Sequence, residues 1–170
     1  MNPQQRLWFE QTASDHSVLL LLRQEGAAPC HQLHYLQMVT EKLGKAYFWR
    51  SGSQPPKSHV SFVRFLQALN DHRSRGEADR IANVLGFHKK TALKTWIQTI
   101  SPLAHDLQKL APALAGDHGP NPEYPWPGTA PIYAPSSFRF PIWLSLTESS
   151  RGRRLVQFID TAVIEFPNYC

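Results

Sequence analysis

Cysteine and long apolar runs are both scarce in this sequence of 170 residues. The two cysteines, Cys30 and Cys170, stand far apart, so free thiols in a reducing compartment are expected rather than a disulfide framework. The longest apolar run, Val18 to Leu22, has five residues and is too short to cross a bilayer. The N-terminus also lacks the basic and apolar regions of an export signal. We therefore expect a cytoplasmic protein that makes no membrane contact.

Strong charge of either sign and the familiar catalytic motifs are missing too. Eighteen Lys and Arg against thirteen Asp and Glu give a net charge of +5, which suits RNA, an acidic partner or solubility alone. There is no glycine-rich phosphate loop, nucleophile elbow, Cys-x-x-Cys pair or zinc-protease motif, so the commonest enzyme classes are removed. His31 and His34 share a helix face without a third ligand at diagnostic spacing. Neither a metal nor a cofactor is predicted.

Apolar residues recur at helical spacing through most of the chain. Helices are predicted from about Pro3 to Gln24, Ala27 to Trp49, Ser58 to Arg73, Asp79 to Gly86, Lys89 to Ile100, Leu103 to Leu114 and Arg151 to Phe166. In the first of these, Leu20 and Leu21 widen the apolar stripe, which indicates contact with more than one neighbouring helix. The last is expected to bury Ile164. The pattern predicts an all-α bundle of four to six helices in one domain, residues 1–170.

Proline is unevenly distributed, because more than half of the fourteen prolines lie between Pro112 and Pro141. Proline fixes φ and restricts the preceding residue, so residues 116–148 are predicted to be an irregular segment before the last helix. Its aromatic residues favour packing on the domain over a free linker. Tyr124 and Trp126, enclosed by prolines, either cover an edge of the core or present an aromatic surface to a partner.

The second predicted helix and the start of the third carry a recognisable arrangement. HQLHYLQMVTEKLGKAYFW, from His31 to Trp49, is followed by a proline-containing turn and then SHVSFVRFLQAL. This resembles HEPN domains, the higher-eukaryote and prokaryote nucleotide-binding superfamily, over roughly residues 5–70. The matching positions are Gln37, Glu41, Lys42, Lys45, Ala46, Pro55, Pro56, Ser58 and His59. The resemblance implies a helical bundle, often dimeric, of the kind found in toxin–antitoxin or phage-defence systems.

Catalytic HEPN domains cut RNA without a metal, using an Arg, four to six residues and then a His. That spacing is absent: Arg80 and His88, for example, have seven residues between them. His59 precedes Arg64, but five positions on one helix separate two side chains by about 140°. Arg80 and His88 flank Gly86, where a bend can bring them together. His59, Arg64, Arg80 and His88 are therefore the candidates for a catalytic role.

Two further groups of charged residues are candidates for binding. Arg151, Arg153 and Arg154 form the tightest basic cluster, placed at a helix N-terminus where cations are disfavoured. That conflict indicates either an anion, phosphate or acidic-partner site or an ordinary exposed face. Glu41 and Lys45, at positions i and i+4, are interpreted as a solvated helix face or as part of a dimer or ligand pocket.

The leading functional hypothesis is a non-catalytic HEPN-like interaction module of a bacterial toxin–antitoxin or phage-defence system. It would act as a homodimer with a protein partner from the same operon, and RNA is a further candidate ligand. The alternative is a metal-independent endoribonuclease with displaced catalytic residues drawn from Arg80, His88 and His105. A helical scaffold with no link to defence is the third interpretation.

Overall fold

The computed structural model describes residues 1–51, 59–71, 74–116, 119–127 and 130–170. The described residues form helices α1 Pro3–Gln24, α2 Pro29–Trp49, α3 Ser61–Ala68, α4 Arg75–Val84, α5 Lys90–Gln108, α6 Pro112–Ala115, α7 Pro141–Glu148, α8 Ser150–Ile164 and α9 Phe166–Tyr169, with a 3₁₀ turn at Pro135–Ser137. Five of these helices have ten residues or more. The all-α prediction is confirmed. The predicted turn residues Pro55, Pro56 and Ser58 lie outside the described residues.

The two longest helices begin at prolines, as the sequence predicts for α1. Pro3 and Pro29 occupy the first helical turn, where a missing N–H costs nothing. The Asn2 side chain caps α1 by accepting the Gln5 N–H at 2.9 Å. Gly26, with φ of 63°, then ends the helix in a backbone conformation that suits glycine. α1 and α2 form an antiparallel hairpin, the most extensive helix pair of the described structure.

Several predicted boundaries between residues 58 and 114 are wrong. α3 ends at Ala68 rather than Arg73, and α4 begins at Arg75 rather than Asp79. The helices predicted on either side of Pro102 are one helix, α5. Pro102 lies on the exposed side, where water can hydrate the carbonyl of Gln98 that loses its donor. The buried stripe of α5 continues across the proline, and this packing outweighs the lost hydrogen bond.

The main core lies where α2, α3, α5, α8 and α9 meet. Its largest fully buried side chains include Tyr47, Phe62, Phe65 and Phe166. α8 and α9 add a buried apolar face that includes Val163, whereas Ile164 is 66% exposed, against the prediction. Cys30 is buried and Cys170 is partly buried, and neither forms a disulfide, as expected.

α1 buries a narrower and more polar face than the sequence predicts, although the predicted Leu19 is buried and Trp8 is half-buried. Leu20 and Leu21 are 45% and 56% exposed, so the predicted wide apolar stripe is wrong. The buried positions of α1 are mostly polar: Gln5, Thr12, Asp15, His16 and Leu19. A buried polar group normally needs a partner. Thr12 has one within α1, because its hydroxyl donates to the carbonyl of Trp8 at 2.8 Å, whereas Gln5 Nε2 has none among the described residues.

The proline-rich segment packs on the domain, and its last part is helical. Trp126 and Tyr133 pair through two main-chain hydrogen bonds of 3.1 and 2.7 Å. Trp126 also packs against Phe138 and Phe140, with ring centroids 4.9 and 5.8 Å away. Residues 141–148 form α7, so the prediction of an irregular segment is wrong there. Pro141 begins α7 because proline is well suited to the first turn of a helix.

None of the described helices is long and apolar enough to span a lipid bilayer.

Candidate functional site

The four residues predicted as catalytic candidates lie in different environments. His59 contacts the Glu41 carboxylate, with Nδ1 2.8 Å from Oε2. Arg64 is exposed on α3. Arg80 donates from Nη1 to the main-chain oxygen of Asn168, near the C-terminus. His88 is exposed just before α5. No contact joins Arg80 to His88 among the described residues, and Arg80 is engaged with the C-terminal backbone instead.

Glu41 is the centre of a partly buried polar group, which we call the Glu41 cluster: Gln37, Glu41, Lys45 and His59. The carboxylate accepts hydrogen bonds from Gln37 Nε2 at 3.0 Å and Lys45 Nζ at 2.5 Å, besides its contact with His59. Glu41 is only 9% exposed, so the interpretation of Glu41 and Lys45 as a solvated face is wrong. Burial alone raises the pKa of the Glu41 carboxyl, but the hydrogen bonds from Lys45, His59 and Gln37 outweigh it and hold the pKa below 4.5.

Two more charge clusters connect α1 to its neighbours. Asp15 pairs with Lys42 of α2 and also accepts a hydrogen bond from Gln11 at 3.0 Å. His16 lies 2.8 Å from the Asp160 carboxylate of α8, and Arg23 Nη1 donates to both oxygens of that carboxylate at 3.0 and 2.9 Å. These pairs account for the burial of Asp15 and His16 on α1.

The predicted arginine cluster is divided between two sides of α8, because Arg151 and Arg154 are three residues apart and share a face that Arg153 does not. Arg151 is exposed, and Arg153 donates from Nη1 to the carbonyls of Thr147 and Glu148 at 3.2 and 2.7 Å. A cation at the C-terminal end of α7 is favourable, which resolves the conflict with the α8 dipole. Arg154 shares its side of the helix with Arg151, and its guanidinium lies 5.0 Å from the ring centroid of Phe87. The three arginines do not form one patch.

A polar cleft beside the N-terminal half of α5 brings His88 and Arg154 together. We call it the α5 cleft, and it encloses about 580 Å³. Its polar wall comprises His88, Lys89, Thr91, Thr95, Thr99 and Arg154, and Phe87 and Trp96 contribute aromatic surface. The Arg154 guanidinium lies over both aromatic rings, 5.0 and 6.0 Å from their centroids. Its charge is thereby held at one side of the cleft by cation–π contact.

The α5 cleft is electropositive. Lys89 and Arg154 form no ion pair with any residue in the described ranges. The first turn of α5 adds the partial positive charge of a helix N-terminus. One acidic group is nearby, since Asp79 of α4 accepts the main-chain N–H of Lys90 at 2.7 Å. With two unpaired cations and one histidine against this single carboxylate, the cleft suits an anion.

The two aromatic binding candidates have different exposures. Tyr124 is 59% exposed, while Trp126 is 4% exposed and belongs to the aromatic packing of its segment. Asn121 orders the loop by accepting the N–H groups of Glu123 and Tyr124 at 3.0 and 2.8 Å. Because Trp126 is buried, it covers the core and offers no surface to a partner. Tyr124 retains a free surface.

Metal-binding chemistry has no evident place in the part of the chain that the structure describes. There, no group of three or more His, Cys, Asp or Glu side chains is arranged to hold an ion.

Comparison with protein-family models, with curated proteins and with solved structures finds no match to this chain.

Proposed function

We propose that this chain is a HEPN-like binding module that holds an RNA strand in the α5 cleft without cutting it. The observation that carries the proposal is that Lys89 and Arg154 line the same cleft. Neither side chain forms an ion pair with an acidic residue in the described structure. Phosphate contacts to Lys and Arg supply most of the affinity in non-specific nucleic-acid binding. An RNA backbone provides the repeated negative charge that such a cleft attracts.

The spacing of hydroxyl groups along the cleft also suits a strand. Thr91 and Thr95 lie one turn apart on α5, and both are exposed. Four residues of an α-helix rise about 6 Å, close to the separation of successive phosphates in a nucleic-acid strand. Each hydroxyl can donate to one phosphate oxygen while Lys89 and Arg154 supply the charge. The aromatic rings are covered by Arg154, so recognition through the backbone is favoured over stacking of bases.

Support for the HEPN-like part of the proposal comes from the residues that carry the resemblance. Gln37, Glu41, Lys45 and His59 are neighbours in space and form the Glu41 cluster. Lys42 pairs with Asp15, so it joins α2 to α1. These side chains are engaged with one another, which favours a structural task for the motif. The homodimer, the protein partner from the same operon and the toxin–antitoxin or phage-defence role stay predictions.

A non-catalytic role is favoured because the cleft offers one histidine. Metal-independent RNA cleavage needs a proton acceptor, a proton donor and a cation at the phosphate. His88 and Arg154 provide one titrating group and one cation, and Arg80 is engaged elsewhere. Since His88 and Arg154 do share the cleft, an endoribonuclease that uses this pair is the second candidate function.

The proposal is tested with the full chain and a fluorescent single-stranded RNA of mixed sequence in EDTA. We expect binding by fluorescence anisotropy, weakening with salt, and intact RNA on a denaturing gel. Lys89→Glu should weaken binding at least about tenfold, and Lys89→Ala should reduce the salt slope by about 0.7. Lys109→Glu is the matched control, because Lys109 is 69% exposed and does not line the cleft.

Three outcomes decide against the proposal. If RNA does not bind at low salt, or if Lys109→Glu weakens binding as much as Lys89→Glu, the α5 cleft is not an RNA site. If the RNA is cut in EDTA and His88→Ala stops the cutting, the endoribonuclease is the correct function.

A further inference from the structure

A second, chemically different groove lies between α1, α2, α7 and α8. It encloses about 440 Å³, within the range of small-molecule sites. Its apolar wall is formed by Leu19, Leu36, Trp143, Leu146 and Val156. Grooves between the helices of a bundle that combine such a wall with a few polar groups are typical ligand sites. We call this the four-helix groove.

The polar part of the four-helix groove contains two guanidinium groups. Arg23 uses Nη1 on Asp160, and Arg153 uses Nη1 on the α7 carbonyls. Their Nε and Nη2 atoms have no hydrogen-bond partner among the described residues. Gln32 also lines the groove and donates to the carbonyl of Ala27 at 2.7 Å, which leaves its side-chain oxygen as an acceptor. Two guanidiniums stand against the one carboxylate of Asp160, so one positive charge is in excess.

We propose that the four-helix groove binds a small molecule with an apolar body and a single carboxylate. The apolar wall takes the body, and burial of that surface drives binding. The free N–H groups of Arg23 and Arg153 take the carboxylate, to which a guanidinium donates in a charge-assisted geometry. A phosphate monoester carries nearly two negative charges at neutral pH and would leave one of them unbalanced. A cation would be repelled. This site is separate from the α5 cleft and does not depend on RNA binding.

Three ligands of equal chain length separate the contributions of body and charge. Decanoate, decanol and decylamine are titrated calorimetrically into the full chain, each below its aggregation concentration. We expect decanoate to bind at least about tenfold more tightly than decanol, and decylamine to bind more weakly than either. Arg153→Gln should remove most of the preference for decanoate while leaving the decanol affinity unchanged.

Two substitutions on α8 test whether the ligand occupies the four-helix groove. Val156 is partly buried and lines the groove, so Val156→Phe should fill it and abolish decanoate binding. Ile164→Phe makes the same kind of change at a site on the same helix that is 66% exposed, and it should leave binding intact. Lys89→Ala should also leave decanoate binding intact, because Lys89 belongs to the α5 cleft.

The proposal is overturned if decanol binds the wild-type chain as tightly as decanoate, or if no decanoate binding is detected. It is equally overturned if Val156→Phe, shown to be folded by circular dichroism, keeps the wild-type affinity. The ligand series on the wild-type chain and Arg153→Gln do not depend on how Val156→Phe folds. RNA binding by the α5 cleft is measured separately, so failure of one site leaves the other assessable.

Discussion

Replacing Glu41 by Gln removes one negative charge from the Glu41 cluster while nearly preserving the shape of the side chain. In the native structure the carboxylate contacts Gln37, Lys45 and His59, and its side chain is 11% exposed. Glutamine can still accept from Gln37, but Lys45 and His59 lose an anionic acceptor. The variant therefore tests whether a buried charge on α2 stabilises the bundle.

The expected loss of stability follows from how exposed the partners of Glu41 are. A hydrogen bond to a charged group contributes about 1.5–3 kcal/mol, and two such contacts are changed. The side chains of Lys45 and His59 are 17% and 42% exposed, so water can replace part of the hydrogen bonding that they lose with the carboxylate. We expect Glu41→Gln to lower the free energy of unfolding by about 2–3 kcal/mol. For a chain of this length that corresponds to a fall in Tm of roughly 5–10 °C.

Glu10→Gln provides a matched control on α1. Glu10 pairs with Arg6 at 2.8 Å, also at i and i+4 spacing, but these side chains are 55% and 71% exposed. An exposed pair of this type contributes no more than about 0.5 kcal/mol. Urea and thermal unfolding at pH 7, followed by circular dichroism, compare both variants with the wild type. If Glu41→Gln loses no more stability than Glu10→Gln, burial does not strengthen the cluster and the reasoning is refuted.

The same variant has a predicted pH dependence. Because the folded-state pKa of Glu41 is below 4.5, the native state binds fewer protons than the unfolded state as the pH falls through that value. The stabilisation is fully present above 4.5 and is lost as the pH falls through the folded-state pKa. The stability difference between wild type and Glu41→Gln should therefore shrink below pH 4.5. A difference that stays constant down to pH 3 would contradict this assignment.

The remaining predictions concern the helix contacts. Gly152→Ala places a Cβ 2.0 Å from the main-chain oxygen of Ser145, so we expect a loss of at least about 3 kcal/mol by urea unfolding. The control is Gly76→Ala on α4, where an added Cβ meets nothing within 4 Å, and this variant should stabilise the fold by about 0.5–1 kcal/mol. If Gly152→Ala and Gly76→Ala changed stability equally, the close approach of α7 and α8 would be refuted. Pro102→Ala restores a donor for Gln98 within α5 and should stabilise by about 1–3 kcal/mol. If two helices met at Pro102 instead, the same change would stabilise nothing.

Local patterns in the sequence were sufficient to predict helices and several of their ends. The bounds of α1, Pro3–Gln24, agree with the prediction, because a proline in the first turn and a glycine after the last act within a few residues. The end of α2 at Trp49 was also predicted, from the apolar periodicity that stops there and the SGSQPP sequence that follows. Pro102 shows the limit of local signals. Proline favours the start of a helix, but α5 continues through Pro102 because its buried apolar stripe extends on both sides of that residue.

The candidate site depended more on tertiary structure. The sequence identified His88 and Arg154 separately, yet they share the α5 cleft only because α8 packs beside the start of α5. It grouped Arg153 with Arg154 because they are adjacent. Successive residues of a helix point about 100° apart, so these two face different grooves.

What the sequence by itself determined is the class of structure, since helical periodicity and capping are properties of neighbouring residues. Which polar residues are buried was decided by tertiary contacts. Asp160 stands 144 residues from His16, and the two meet only when α8 packs on α1. A charge is retained inside a fold only where a partner of opposite charge arrives, and such a partner is set by packing rather than by local sequence.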